Sequence, residues 1–321
     1  MNKMWKNSCF LTRLVAVSLN AAEEAGKIIK GVMTSGDLKI VNKDLKGVVK
    51  DLQTEADRSA QAGIERKLLA AFGNKLQIVG EEELPDAYTQ ALNLDEHNKF
   101  ELSESMTDVI VWIDPLDGTS EFVRAQNDPA LLEQVTVLIG ITYKGRPIAG
   151  VIHQPYYKSP ESTGSKVIGR SVWGIRSVGV FGINAYLESP PTGPYAVTTA
   201  SHSNELVDIA LRALQEKNLI RSFRRVGGAG FKVLCCLEGA AAYVFASGGC
   251  KKWDTAAPEA VLFAAGGILT DISGRPLLYE KDAQMQNSEG VLATALWVDH
   301  QAFVSAIPQH VKDALPQQHK R

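Results

Sequence analysis

Asp108-Val109-Ile110-Val111-Trp112-Ile113-Asp114-Pro115-Leu116-Asp117-Gly118-Thr119 joins an apolar, β-branched run to a turn crowded with oxygen ligands. The first half predicts an interior strand, because side chains that are apolar at every position suit a strand buried on both faces. Pro115 has no N–H to give a sheet ladder, so the strand is expected to stop there. Asp114 and Asp117 then share one turn, with the Leu116 carbonyl between them. Gly118 allows close backbone approach, and Thr119 offers a hydroxyl where a helix can begin. Hard oxygen donors at this density suit Mg²⁺ better than zinc. The same residues are also turn formers, so the rest of the chain has to decide between a turn and a site.

The chain has 321 residues, enough to bury a large core in one or two domains. Hydrophobic residues at 45% and charged residues at 22% are ordinary for a globular enzyme. A net charge of -2 gives no electrostatic reason for a nucleic-acid polymer or an anionic membrane as partner. An anionic small molecule stays open, since one bound cation inverts a local field. Cys9, Cys235, Cys236 and Cys250 show neither zinc spacing nor a disulfide framework, which points to a reducing compartment. The apolar run Leu14–Leu19 continues at helical spacing to Ile28 and Ile29, so an amphipathic helix is expected rather than a signal peptide. No window approaches the ~20 apolar residues of a membrane span. A cytoplasmic protein is expected, and the sequence leaves its oligomeric state open.

Helices and strands alternate. A helix is expected over residues 10–33 and another from Thr54, where Thr54-Glu55-Ala56-Asp57 resembles a capping box. Leu76–Gly80 reads as a strand, and residues 84–107 as a mobile insertion. Val135–Ile141 and Ile148–Ile152 read as strands around the hairpin signal Tyr143-Lys144-Gly145-Arg146. Residues 158–168 are rich in Ser, Gly and Pro and offer a boundary. Beyond them lie expected strands at Tyr195–Thr199, Ala242–Phe245 and Ile268–Asp271, with helices at Asn204–Leu214 and Ala256–Ala265. This alternation indicates layered α and β elements with mixed sheets.

Four further features carry chemistry. Gly80-Glu81-Glu82-Glu83 delivers carboxylates from a strand end. Asp57 sits at the third position of its helix, where the macrodipole also favours an acid. Asp254, in Trp253-Asp254-Thr255-Ala256-Ala257-Pro258-Glu259, is suited to cap the helix that follows, with a second oxygen left for a metal. Arg225-Val226-Gly227-Gly228-Ala229-Gly230-Phe231-Lys232 exposes backbone N–H groups to an anion, with Lys232 one turn inside. Its spacing is not that of a dinucleotide fingerprint.

Gly-Glu-Glu, Asp-Pro-Leu-Asp-Gly-Thr and Trp-Asp-x-x-Ala-Pro-Glu together resemble the lithium-sensitive, Mg²⁺-dependent phosphomonoesterases of the inositol monophosphatase superfamily. Val226-Gly227-Gly228-Ala229-Gly230 and Val244–Thr255, with its Gly-Cys-Lys-Lys-Trp-Asp core, are similar to the 3'(2'),5'-bisphosphate nucleotidase branch. The resemblance implies an αβαβα sandwich of the inositol monophosphatase and fructose-1,6-bisphosphatase type. It divides the chain into an N-terminal α+β half, residues 1–159, with most metal ligands, and a C-terminal α/β half, residues 160–321. It implies that Glu81, Asp114, the Leu116 carbonyl, Asp117 and Asp254 hold two or three Mg²⁺, and that Asp57 and Thr119 activate water. Gly118 and Thr119 would hold the phosphate, and Thr199, Ser201, His202, Gly228 and Lys232 the nucleotide. The implied reaction converts adenosine 3',5'-bisphosphate, the sulfotransferase by-product, to AMP and phosphate, with Li⁺ as inhibitor. 3'-Phosphoadenylyl sulfate and inositol 1,4-bisphosphate are further implied substrates. The segment Phe122–Gln134 is longer than in most nucleotidases and is reminiscent of inositol polyphosphate 1-phosphatase, the alternative main activity.

Overall fold

A computed structural model describes residues 8–43, 51–84, 107–158, 169–183, 193–201 and 204–316. The expected insertion at 84–107 and the expected boundary at 158–168 fall almost wholly outside them, as does His202. Helices α1 (Phe10–Ser35) and α2 (Glu55–Phe72) precede strands β3 (Gln77–Gly80) and β4 (Val109–Asp117). Between the helices lies a short antiparallel pair, β1 (Val41–Asn42) and β2 (Leu52–Gln53). Next come α3 (Thr119–Arg124), a 3₁₀ turn at Pro129–Gln134, and strands β5 (Thr136–Tyr143), β6 (Arg146–Gln154), β7 (Arg170–Ile175) and β8 (Gly179–Phe181). The remainder is β9 (Tyr195–Thr199), α4 (Glu205–Glu216), β10 (Ser222–Val226), α5 (Ala229–Leu237), β11 (Ala242–Phe245) and α6 (Lys252–Ala264), then β12 (Ile268–Thr270), β13 (Val291–Thr294), α7 (His300–Ala306) and α8 (Gln309–Asp313).

The strands form a six-stranded sheet ordered β3-β4-β5-β6-β7-β8 and a five-stranded sheet ordered β10-β9-β11-β13-β12. β3 runs parallel to β4, and the rest of the first sheet is antiparallel. β9, β10 and β11 are parallel, with β13 and β12 antiparallel at the other side. The change of sheet falls between Phe181 and Tyr195.

Alternation along the strands sorts side chains into three cores. Val111 and Ile113 face α1 and α2, meeting Leu14, Ile29, Ile64 and Leu68. Ile110 and Trp112, from the same strand, face the other way toward Val261 and Leu262 of α6 and toward Tyr243 and Val291 of the second sheet. That sheet's far face, through Ala196, Val244 and Leu292, packs on Leu211, Phe303 and Val311. These three cores, the second covering both faces of the middle helices, hold together the five layers of the αβαβα sandwich that the resemblance implies.

One contact fixes the middle layer. Gly140 pairs with Gly150, and Gly150 with Gly174, in a row across three strands. A Cβ on Gly140 would lie 2.5 Å from Ala256 Cβ, and one on Gly150 would lie 2.5 Å from the Ala257 carbonyl oxygen. Helix α6 therefore rests on sheet backbone, closer than side chains would permit.

Two local expectations are corrected. β4 does not stop at Pro115 but runs through it to Asp117. Its register to β5 shifts between Asp114 and Asp117, so a bulge removes the need for a proline N–H. Asp254 is not the N-cap of α6: the helix begins at Lys252, the cap is Lys251, and Asp254 occupies the third turn position, accepting the Lys251 N–H at 2.6 Å. The four cysteines are free thiols. Among the described residues no helix is long and apolar enough to cross a membrane.

Candidate active site

The bulge in β4 sets the site. Asp114 Oδ1 accepts the Leu116 N–H at 3.1 Å, which turns the Leu116 carbonyl toward Thr119. Thr119 Oγ1 lies 3.0 Å from that carbonyl oxygen and 3.1 Å from Asp57 Oδ1. The hydroxyl has one proton for two acceptors, so it is poised between them. Asp57 is held by the capping box, its Oδ2 taking the Thr54 N–H at 2.7 Å and the Thr54 hydroxyl at 2.5 Å. Burial pushes its pKa to about 7; Thr54 opposes the rise and Glu81 and Glu82 add to it.

β3 lies parallel to β4, so its end brings Glu81 beside the bulge, with the Glu81 N–H on the Ile113 carbonyl at 3.0 Å. Lys43 Nζ bridges Glu81 and Glu82, 3.0 Å from each. Burial opposes the ammonium charge, but the two carboxylates outweigh it and hold its pKa above the usual range. Gln61 fixes the Glu82 backbone at both N–H and carbonyl.

The anion held by the Gly227–Gly230 turn is a protein carboxylate. Asp117 Oδ1 accepts the Ala229 N–H and Oδ2 the Gly230 N–H, each at 2.8 Å, at the start of α5. Thr136 Oγ1 adds a third bond to Oδ2 at 2.7 Å. Oδ1 keeps a lone pair. Lys232, one turn on, is buried, donates to the Gly228 carbonyl at 2.9 Å and lies over the Tyr243 ring. Burial lowers its pKa, against the pull of Asp117 and Glu121.

Asp254 arrives on α6, whose start is clamped by buried Asn287. That amide donates to the Lys251 carbonyl and to Thr255 Oγ1, both at 3.0 Å, and accepts from Lys252 Nζ at 2.6 Å. Burial and the nearby charges of Glu81 and Asp117 raise Asp114 strongly, and burial with Glu81 raises Asp254 to about 7. Mutual repulsion of this kind is relieved by a proton or a cation. Among the described residues no three His, Cys, Asp or Glu side chains are gathered tightly enough to hold a metal ion as they stand. Lys43 satisfies Glu81, and backbone N–H groups satisfy Asp117. The donor chemistry nevertheless fits a hard divalent cation: carboxylate and carbonyl oxygens only, with two carboxyls short of positive charge.

A cavity of about 490 Å³ joins these groups, lined by Glu81, Asp114, Leu116, Asp117 and Asp254 and also by Gly118, Thr119, Thr199, Ser201, Gly228 and Lys232. Asp57 lies behind Thr119, and His202 falls outside the described residues. Glu121, Tyr243 and Gln286 also line the cavity without having been singled out in the sequence. Period-two alternation along β11 could have found Tyr243; Glu121 and Gln286 carry no sequence signal.

The model of the inositol monophosphatase family matches residues 11–312. The chain is 44% identical to human 3'(2'),5'-bisphosphate nucleotidase 1 over 97% of this chain and 99% of that protein. Identity to the rat protein of the same name is 43%, covering 95% and 97%. Among solved structures, the extragenic suppressor protein SuhB of Bartonella henselae superposes with a TM-score of 0.65 at 19% identity, over 92% of this chain and 98% of that one. CysQ of Bacteroides thetaiotaomicron gives 0.63 at 21% identity, over 89% and 98%. With the matched model spanning nearly the whole chain, and relatives of this identity and coverage, the chain belongs to the inositol monophosphatase family.

Proposed function

We propose that this phosphatase is Mg²⁺-dependent and releases the 3'-phosphate of adenosine 3',5'-bisphosphate to give AMP, with 3'-phosphoadenylyl sulfate as a second substrate. The observation that carries it is the hydroxyl of Thr119 between the Asp57 carboxylate and the Leu116 carbonyl, at the edge of a carboxylate-lined cavity. Glu81, Asp114, the Leu116 carbonyl, Asp117 and Asp254 would hold Mg²⁺. Bound there, the ion supplies charge to the phosphate and leaving oxygens and acidity to the attacking water. Lys43 would yield Glu81 to it.

Thr119 Oγ1 takes a proton from the attacking water and passes its own to Asp57 Oδ1. A carboxylate with a pKa of about 7 suits that task near neutrality. The water oxygen bonds phosphorus as the P–O3' bond breaks, and O3' takes a proton from solvent. The N–H groups of Gly118 and Thr119 orient the phosphate; Thr199, Ser201, His202, Gly228 and Lys232 hold the nucleoside side. The relatives named as nucleotidases support the substrate class.

A second reading, an inositol polyphosphate 1-phosphatase, draws on the segment after Thr119. The side chain of Gln134 accepts the Gly227 N–H at 2.6 Å, so the segment helps build the turn that lines the cavity. Phosphate release from adenosine 3',5'-bisphosphate and inositol 1,4-bisphosphate, each with Mg²⁺, with EDTA and with millimolar Li⁺, decides between them. Mg²⁺-dependent, Li⁺-sensitive turnover favouring the nucleotide is expected. Preference for the inositol substrate would transfer the function to the second reading.

A further inference from the structure

Glu121 takes no part in the chemistry above, although it lines the cavity. The residue is 2% exposed, and its Oε1 has no hydrogen-bond partner. The Arg124 guanidinium, itself exposed, is 3.9 Å away, too far for a hydrogen bond. Burial pushes the Glu121 pKa up, against the charge of Lys232. A buried carboxyl with an unmatched oxygen is costly, so its retention beside the cavity points to a ligand.

The surroundings say which ligand. A Cβ on Gly227 would lie 2.1 Å from Glu121 Cδ, so the turn that lines the cavity is shaped around this carboxyl. Oε2 lies 3.8 Å from the Cβ position of Gly118, which puts it beside the turn expected to orient the phosphate. A carboxylate there repels the phosphate itself. What it can accept is a hydrogen bond from a neutral donor, and the donor nearest a phosphate ester is a hydroxyl on the adjoining carbon. Stabilising the helix macrodipole, the other use of an acid in a first turn, needs no burial and leaves the orphaned oxygen unexplained.

We infer that Glu121 accepts a hydrogen bond from the substrate hydroxyl vicinal to the phosphate ester and thereby selects phosphates of vicinal diols. In a nucleotide 3'-phosphate that group is the ribose 2'-hydroxyl; in an inositol phosphate it is a neighbouring ring hydroxyl. The inference rests on the phosphatase reading above.

The test is a cycle between enzyme and substrate. kcat/KM is measured for adenosine 3',5'-bisphosphate and its 2'-deoxy analogue with the wild type, Glu121→Met and Glu121→Gln. Thermal melting of each variant tracks the fold. The wild type is expected to prefer the ribose substrate by about 10–100-fold, the range for a bond to a charged group. Glu121→Met should lose that much more on the ribose substrate than on the deoxy one, and Glu121→Gln should restore part of it. Equal losses on both substrates, or a preference that survives in the Met variant, overturn the inference. If the nucleotide is inert while inositol 1,4-bisphosphate is hydrolysed, the nucleotide reading fails alone. The same cycle then runs on analogues lacking the hydroxyls beside C1. Release from neither substrate overturns both.

Discussion

Gly140 and Gly150 face each other in neighbouring strands, and the backbone of α6 lies against both. Helix position and ligand position are thereby one variable, because Asp254 sits on the first turn of that helix. Gly150→Ala would put a methyl 2.5 Å from the Ala257 carbonyl oxygen, which is backbone and cannot swing aside. A loss of about 1–3 kcal/mol is expected from overpacking, with weaker Mg²⁺ binding. Urea unfolding and equilibrium dialysis read the two effects; an unmoved midpoint would contradict the close packing.

Thr119→Val keeps the branched shape and removes the hydroxyl proposed to relay a proton to Asp57. Activity should fall by roughly 10²–10⁴-fold, the span for a lost general acid–base group, with melting temperature little changed. Phosphate release at saturating Mg²⁺ measures it. A variant within a few-fold of wild type would exclude the hydroxyl from the proton path.

Asp117→Asn is harsher on the fold than its unchanged volume suggests. Both carboxylate oxygens accept backbone N–H groups, so an amide NH₂ must confront one donor from Ala229 or Gly230. The expected outcome is loss of most activity together with about 1–3 kcal/mol of stability. Calorimetry on the apo variant separates the two. Full activity would remove Asp117 from the ligand set.

His153 is buried beside Gly26, shares a 2.9 Å hydrogen bond with Ser171, and has its pKa lowered to about 4 by burial, with Lys30 adding to the effect. The folded state binds this proton less readily than the unfolded chain does. Its contribution is therefore complete above pH 6.5 and is lost as pH falls toward 4, by roughly 3 kcal/mol at most. The raised carboxyls of Asp57 and Glu259, each at about 7, act in the opposite direction, so the comparison must be with a variant. Between pH 7 and 5 wild type should lose more stability than His153→Gln. Parallel pH profiles would refute the assignment.

What the sequence revealed is local, and what it concealed is long-range. The strand pattern of β4, the capping box at Thr54 and the hairpin at Lys144-Gly145 are written within a few residues of one another, and each element forms where that pattern lies. Pro115 was misleading because a bulge depends on the partner strand. Asp254 resembled a cap because the same carboxylate chemistry serves three positions later, where it accepts the N–H of the true cap. Strand β10, Ser-Phe-Arg-Arg-Val, is mostly exposed and shows no apolar alternation to give it away. The bridge from Lys43 to Glu81 and Glu82 and the contact of Glu121 with Gly227 join residues far apart in the chain. No spacing rule reaches that far.

The proposed site draws Asp57 from α2, Glu81 from the end of β3, Asp117 from β4 and Asp254 from a helix wedged between the two sheets. No single layer holds a working fragment. The last of the proposed ligands, Asp254, comes into place only when α6 docks onto the glycine row. On the proposed ligand set, catalysis doubles as a certificate of completed assembly: a molecule whose α6 is undocked lacks one ligand and is expected to be silent.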